Sequence, residues 1–132
     1  MNYENLRNQA FEANMKIPAN HLALYTWGNV SAFDKAAGVF AIKPSGVPYE
    51  KLTPQSMVII DIEGNKVEGE LNPSSDTPTH AVLYKEFAYN SNSDIGGIIH
   101  THSTFAVSSS IKHVFNILLC FSSYAPFAVS LI

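Results

Sequence analysis

Cysteine is nearly absent. The 132 residues hold one, Cys120, so no internal disulfide can form and a reducing compartment is implied. Surplus positive charge is absent too: eight Lys and Arg stand against eleven Asp and Glu, a net charge of −3. Without a basic stripe, binding to nucleic acid through its phosphates is not expected. The first ten residues, M-N-Y-E-N-L-R-N-Q-A, lack the charged-then-apolar order of an export signal. Internal repeats and low-complexity segments are missing as well. Charge itself runs out late in the chain, where Lys112 is the lone charged residue after position 102 and residues 114–132 carry none. That stretch is about as long as a bilayer crossing. Asn116, the pair Ser122-Ser123 and Pro126 interrupt it, however, and no Lys/Arg cluster flanks it, so a membrane span is not expected.

What remains suits a single α/β domain in the cytoplasm, since a 46% hydrophobic composition is enough to bury a core. Leu6, Ala10, Ala13 and Ile17 recur at steps of four, three and four, which predicts an amphipathic helix over residues 3–17 ended by Pro18. Gly28-Asn29 predicts a turn before a strand from Val30 to Phe33. V-F-A-I-K at 39–43 reads as a strand stopped by Pro44-Ser45-Gly46, and Met57 to Ile62 as another. Glu63-Gly64-Asn65-Lys66 makes a hairpin turn into Val67-Glu68. Thr77-Pro78 fit the N-cap and first position of a helix over about 78–88 that carries Ala81, Leu83-Tyr84 and Phe87. Ile95 to Thr101 reads as a buried strand, preceded by a polar surface loop over 88–94.

Four short motifs can carry chemistry. His100-Thr101-His102 ends a strand, and side chains two apart on a strand share a face, so both imidazoles can converge on one metal ion. Ser74-Ser75-Asp76-Thr77-Pro78-Thr79-His80 sets hydroxyls and N–H groups ahead of a helix, a setting suited to an anion. The same residue types are also ordinary helix caps, and His80 reads there as a packing or surface residue. Lys43-Pro44-Ser45-Gly46 puts a cation, a hydroxyl and a permissive glycine at a strand end. Thr26-Trp27-Gly28-Asn29-Val30-Ser31 adds a tight turn and an amide with both donor and acceptor.

Taken in order, T-W-G-N-V-S, I-K-P-S-G-V, S-S-D-T-P-T-H and I-G-G-I-I-H-T-H-S resemble the class II aldolase family, over about residues 2–107. Within it they look most like L-ribulose-5-phosphate 4-epimerases. The resemblance implies α/β/α layers around a largely antiparallel sheet, a homotetramer, one divalent metal (normally Zn2+) and a phosphorylated ketopentose as substrate. It implies that Asp76, His100 and His102 hold the metal, and that Gly28, Asn29, Ser45, Gly46, Ser74 and Ser75 contact substrate and phosphate, with Lys43 as a further contact. Aldolase relatives usually carry Glu where Asp76 stands, so Asp favours the epimerase branch. The implied reaction is a reversible retro-aldol cleavage between C3 and C4, re-addition inverting C4, in pentose (arabinose or ascorbate) catabolism.

The family's third metal histidine, its acid/base Asp and its catalytic Tyr lie downstream of the H-T-H pair, where this sequence offers no match. Residues 1–107 are therefore expected to be the family's N-terminal portion, incomplete at its C-terminal side, and 108–132 a divergent apolar tail. A truncated, non-catalytic sugar-phosphate-binding fragment, the product of a shortened or frameshifted gene, is the alternative reading.

Overall fold

In a computed structural model of the chain, the described residues are 2–22, 25–91 and 93–101, together with the backbone of two later strands at 116–119 and 127–131. The first helix, α1, spans Glu4–Ala19 and buries Leu6, Ala10, Ala13 and Ile17, the stripe that its spacing predicts. Pro18 lies inside the last turn instead of ending the helix. A proline there removes one N–H at a point where the ladder is already closing, and Asn20 N–H still reaches the Lys16 carbonyl at 3.1 Å.

Strands β1 (Asn29–Asp34), β2 (Val39–Ile42), β3 (Val58–Asp61) and β4 (Lys66–Glu68) follow as an antiparallel meander. Helix α2 (Thr77–Leu83) comes next and widens over Tyr84–Tyr89, where Asn90 N–H bonds back five residues to the Lys85 carbonyl at 2.9 Å. Strand β5 (Gly97–Thr101) then pairs antiparallel with β1. The backbones of β6 (Asn116–Leu119) and β7 (Phe127–Leu131) extend the sheet beyond β5, giving the order β4-β3-β2-β1-β5-β7-β6. Among the described strands only the β5–β7 pair is parallel.

Helices cover both faces of this sheet, which explains why its inner strands are apolar on both sides. Val30, Ala32, Val39, Ala41 and Ile59 pack beneath α1, and their alternating neighbours Phe33, Phe40, Ile42, Val58 and Ile60 pack with Ala81, Tyr84 and Ala88 of the second helical segment. The result is an α/β/α sandwich. Three local expectations shift. Thr77 is already helical, its hydroxyl donating to the Ser74 carbonyl at 2.7 Å while Asp76 takes the capping position. Phe87 is exposed, because the buried face follows 81, 84 and 88. Ala88 and Tyr89 belong to the helical segment, so the polar loop begins after them.

Candidate functional site

Four segments meet at one end of the sheet. Gly28, with φ of 78°, lets the chain turn sharply into β1, so that Asn29 enters the strand directly opposite His100 of β5. The loop after β2 and the loop before α2 are cross-braced by backbone bonds: Ser45 N–H to the Asn72 carbonyl at 2.9 Å and Ser74 N–H to the Lys43 carbonyl at 3.1 Å. Between them opens a cleft of about 170 Å³. Gly28, Asn29, Ser45, Gly46, Ser74, Ser75 and Asp76 all line it, as do Thr26, Trp27, Lys43 and Pro44. Every substrate-contact and phosphate-contact position expected from the sequence thus reaches one concavity.

Asp76 is the hub of its inner end. Its Oδ2 accepts from Asn29 Nδ2 at 2.6 Å and from Ser74 Oγ at 3.4 Å, and lies 3.5 Å from His100 Nδ1. Asn29 and His100 are buried, whereas Asp76 keeps about a third of its side chain open (29%). Asn29 Oδ1, at the same end of the sheet, is buried with no hydrogen-bond partner among the described residues. His102 lies outside the described residues, and among those described no group of three or more His, Cys, Asp or Glu converges.

Lys43 supplies the cleft's cation. Its side chain is buried to 2% exposure, and its ammonium donates to the carbonyls of Thr26 at 3.2 Å and Pro44 at 3.4 Å, 5.0 Å above the Tyr49 ring. Burial holds its pKa below that of an ordinary lysine. An ammonium engaged with carbonyl dipoles retains its full charge for an incoming anion. Tyr49 is a residue that the sequence reading missed: its hydroxyl donates to the carbonyls of both Trp27 and Gly28 at 2.9 Å, tying the turn to the body of the protein. Burial raises its pKa. A tyrosine in a P-Y-E-K segment carries no local signal for such a role.

A second buried cluster stands behind Asp76. Ser31 Oγ lies 2.7 Å from His80 Nδ1 and 2.7 Å from Tyr84 Oη, which also donates to the Ser31 carbonyl at 3.1 Å. His80 is fully buried, as the packing alternative expects, and not at the surface. Desolvation lowers its pKa to about 4, with Asp76 opposing that shift and His100 adding to it.

Residues 8–126 match the Class II Aldolase and Adducin N-terminal domain. The chain belongs to this class II aldolase family. Solved structures agree. An L-fuculose 1-phosphate aldolase is 34% identical with a TM-score of 0.70, the match covering 79% of this chain and 47% of that one. An L-fuculose-1-phosphate aldolase of Thermus thermophilus is 26% identical at a TM-score of 0.62, covering 89% and 56%. YgbL of Escherichia coli, at 21% identity and a TM-score of 0.69 over 89% and 54%, shares the fold. This class II aldolase chain therefore spans about half the length of its solved relatives. The family match continues past Val107 into the charge-poor segment, and none of the described helices is long and apolar enough to cross a membrane.

Proposed function

We propose that this site binds a phosphorylated ketopentose and serves a zinc-dependent retro-aldol epimerisation at C4, as in L-ribulose-5-phosphate 4-epimerases of pentose catabolism. The observation that carries the reading is that one cleft gathers hydroxyls, glycine turns, Lys43 and Asp76, whose carboxylate lies 3.5 Å from His100 Nδ1. Since the N–H groups of Ser45 and Ser74 are engaged in bracing the loops, phosphate binding falls to the hydroxyls of Ser45 and Ser75, the neighbouring N–H of Gly46, and the charge of Lys43.

The donor set suits the metal. A carboxylate and an imidazole nitrogen 3.5 Å apart are ligand types that zinc takes, with His102 expected as a third. When bound, zinc acts as a Lewis acid on the substrate's carbonyl and adjacent hydroxyl oxygens. Asn29 orients the Asp76 carboxylate, and its Oδ1, which has no hydrogen-bond partner among the described residues, is the acceptor for a sugar hydroxyl. Trp27 and Gly28 line the same cleft. A cytoplasmic homotetramer belongs to the same reading, with residues 1–107 carrying the four motifs and 108–132 an apolar continuation into which the family match extends.

Asp at position 76 supports epimerisation, whereas the 34% identity to an L-fuculose 1-phosphate aldolase favours cleavage as the second reading. The purified chain, supplied with Zn2+, is incubated with L-ribulose 5-phosphate and with L-fuculose 1-phosphate and followed by NMR. The C4 epimer of the first is the expected product. Cleavage of the second into two carbonyl fragments gives the aldolase reading instead. Binding of both without turnover returns the non-catalytic fragment, and binding of neither removes the sugar-phosphate reading altogether.

A further inference from the structure

Two rungs join the start of α2 to β1. In the first, Asn29 donates to Asp76 at 2.6 Å; in the second, Ser31 Oγ and His80 Nδ1 lie 2.7 Å apart. Two residues along a strand advance about 6.7 Å and four along a helix about 6.0 Å, so such rungs stand side by side. The register continues the spacing to β5, where Asn29 faces His100 and Ser31 faces Ile98. His80 N–H also donates to the Asp76 carbonyl at 3.1 Å, closing the helical turn between the rungs.

The second rung is an expensive way to pack a helix on a sheet. His80 is 1% exposed and its Nε2 has no hydrogen-bond partner among the described residues, so its desolvation goes uncompensated there. A leucine would fill similar space with no such penalty. What leucine cannot do is lock the angular position of the α2 turn through a 2.7 Å bond to Ser31, itself held by Tyr84.

We propose that His80 is a positioning residue for the metal site: anchored by Ser31, which Tyr84 holds in turn, it fixes where the first turn of α2 sets the Asp76 carboxylate relative to His100. The inference rests on the metal-site reading above. It assigns His80 no contact with substrate and no proton transfer; its effect passes through Asp76.

The test measures Co2+ affinity and the visible Co2+ spectrum of the full chain, alongside its melting temperature. Wild type and Asp76→Ala come first: binding that Asp76→Ala abolishes establishes the metal reading, and absence of Co2+ binding in wild type overturns that reading and this inference together. Given wild-type binding, His80→Leu is expected to weaken Co2+ about 10–100-fold and alter its spectrum, as loss of a ligand's supporting partner does. His80→Asn, whose amide reproduces the Nδ1 bond to Ser31, is expected to stay close to wild type. His80→Gln, whose amide reproduces Nε2 instead, should resemble His80→Leu. Unchanged Co2+ affinity and spectrum in folded His80→Leu, whatever its melting temperature, overturns the inference and leaves His80 as packing. If His80→Leu does not fold, the contrast is read between Asn and Gln, and equal binding by those two overturns it.

Discussion

Asn14 of α1 takes the place of a strand partner for Val30 of β1. Its Nδ2 donates to the Val30 carbonyl at 2.7 Å and its Oδ1 accepts from the Val30 N–H at 2.8 Å. The pairing of β1 with β2 begins only at Ser31 and Ile42, so without this side chain two peptide groups of a fully buried residue would lack partners on that side. Nδ2 also donates to the Ala10 carbonyl at 2.8 Å, which fixes its rotamer. The helix is thereby clamped to the strand that begins with Asn29.

Asn14→Leu should therefore cost about 2–4 kcal/mol, since it leaves a buried N–H and a buried C=O unsatisfied even though volume is conserved. Urea denaturation of the two proteins reads this directly. A change below about 1 kcal/mol, on the order of a surface substitution, would mean that Val30 finds other partners.

Lys43→Met removes the cleft's cation while preserving the stem that packs over Tyr49. Binding of inorganic phosphate, followed by calorimetry, is expected to weaken by about tenfold or more, the worth of a charge-assisted bond. Stability should change little, because relief of the lysine's desolvation offsets the donors lost to the Thr26 and Pro44 carbonyls. Phosphate affinity unchanged in Lys43→Met would shift the anion site elsewhere.

Tyr49→Phe leaves the carbonyls of Trp27 and Gly28 without their shared donor. The turn at Gly28 then loses its tether, so phosphate affinity should fall together with a loss of about 1–2 kcal/mol in stability. A melting temperature and phosphate affinity both equal to wild type would make that hydroxyl dispensable.

Metal-free protein should lose stability on mild acidification. The folded-state pKa of His80 is about 4 against 6.5 in the unfolded chain, so between those values the unfolded state binds a proton that the folded state refuses. Stability from this residue is complete above pH 6.5 and is lost progressively as pH falls through about 4, about 3 kcal/mol in all. His80→Leu should flatten denaturation midpoints across that interval; an equally steep decline in the variant would assign it to other groups.

Much of the architecture is legible from local pattern. The α1 stripe, the β3–β4 hairpin at Glu63-Gly64-Asn65-Lys66 and the β-branched run of β3 each depend on neighbours within a few residues, and each forms as its periodicity predicts. The ends of elements are less legible. Pro18 stays within α1 because Asn20 completes the last turn around it, and Phe87 turns outward because a helical face one step away is the one that meets Phe33 and Phe40.

The candidate site divides along the same line. Residue types, and the family resemblance that the motif order carries, picked out the loops whose hydroxyls, glycines and carboxylate line the cleft. Only the tertiary structure decided that Asn29 orients Asp76, that Tyr49 tethers the Gly28 turn, and that His80 is buried against Ser31 instead of facing water. Those pairings span 21 to 49 positions along the chain. They arise from strand register and from the docking of α2 on β1, relations between distant segments that no window of sequence contains.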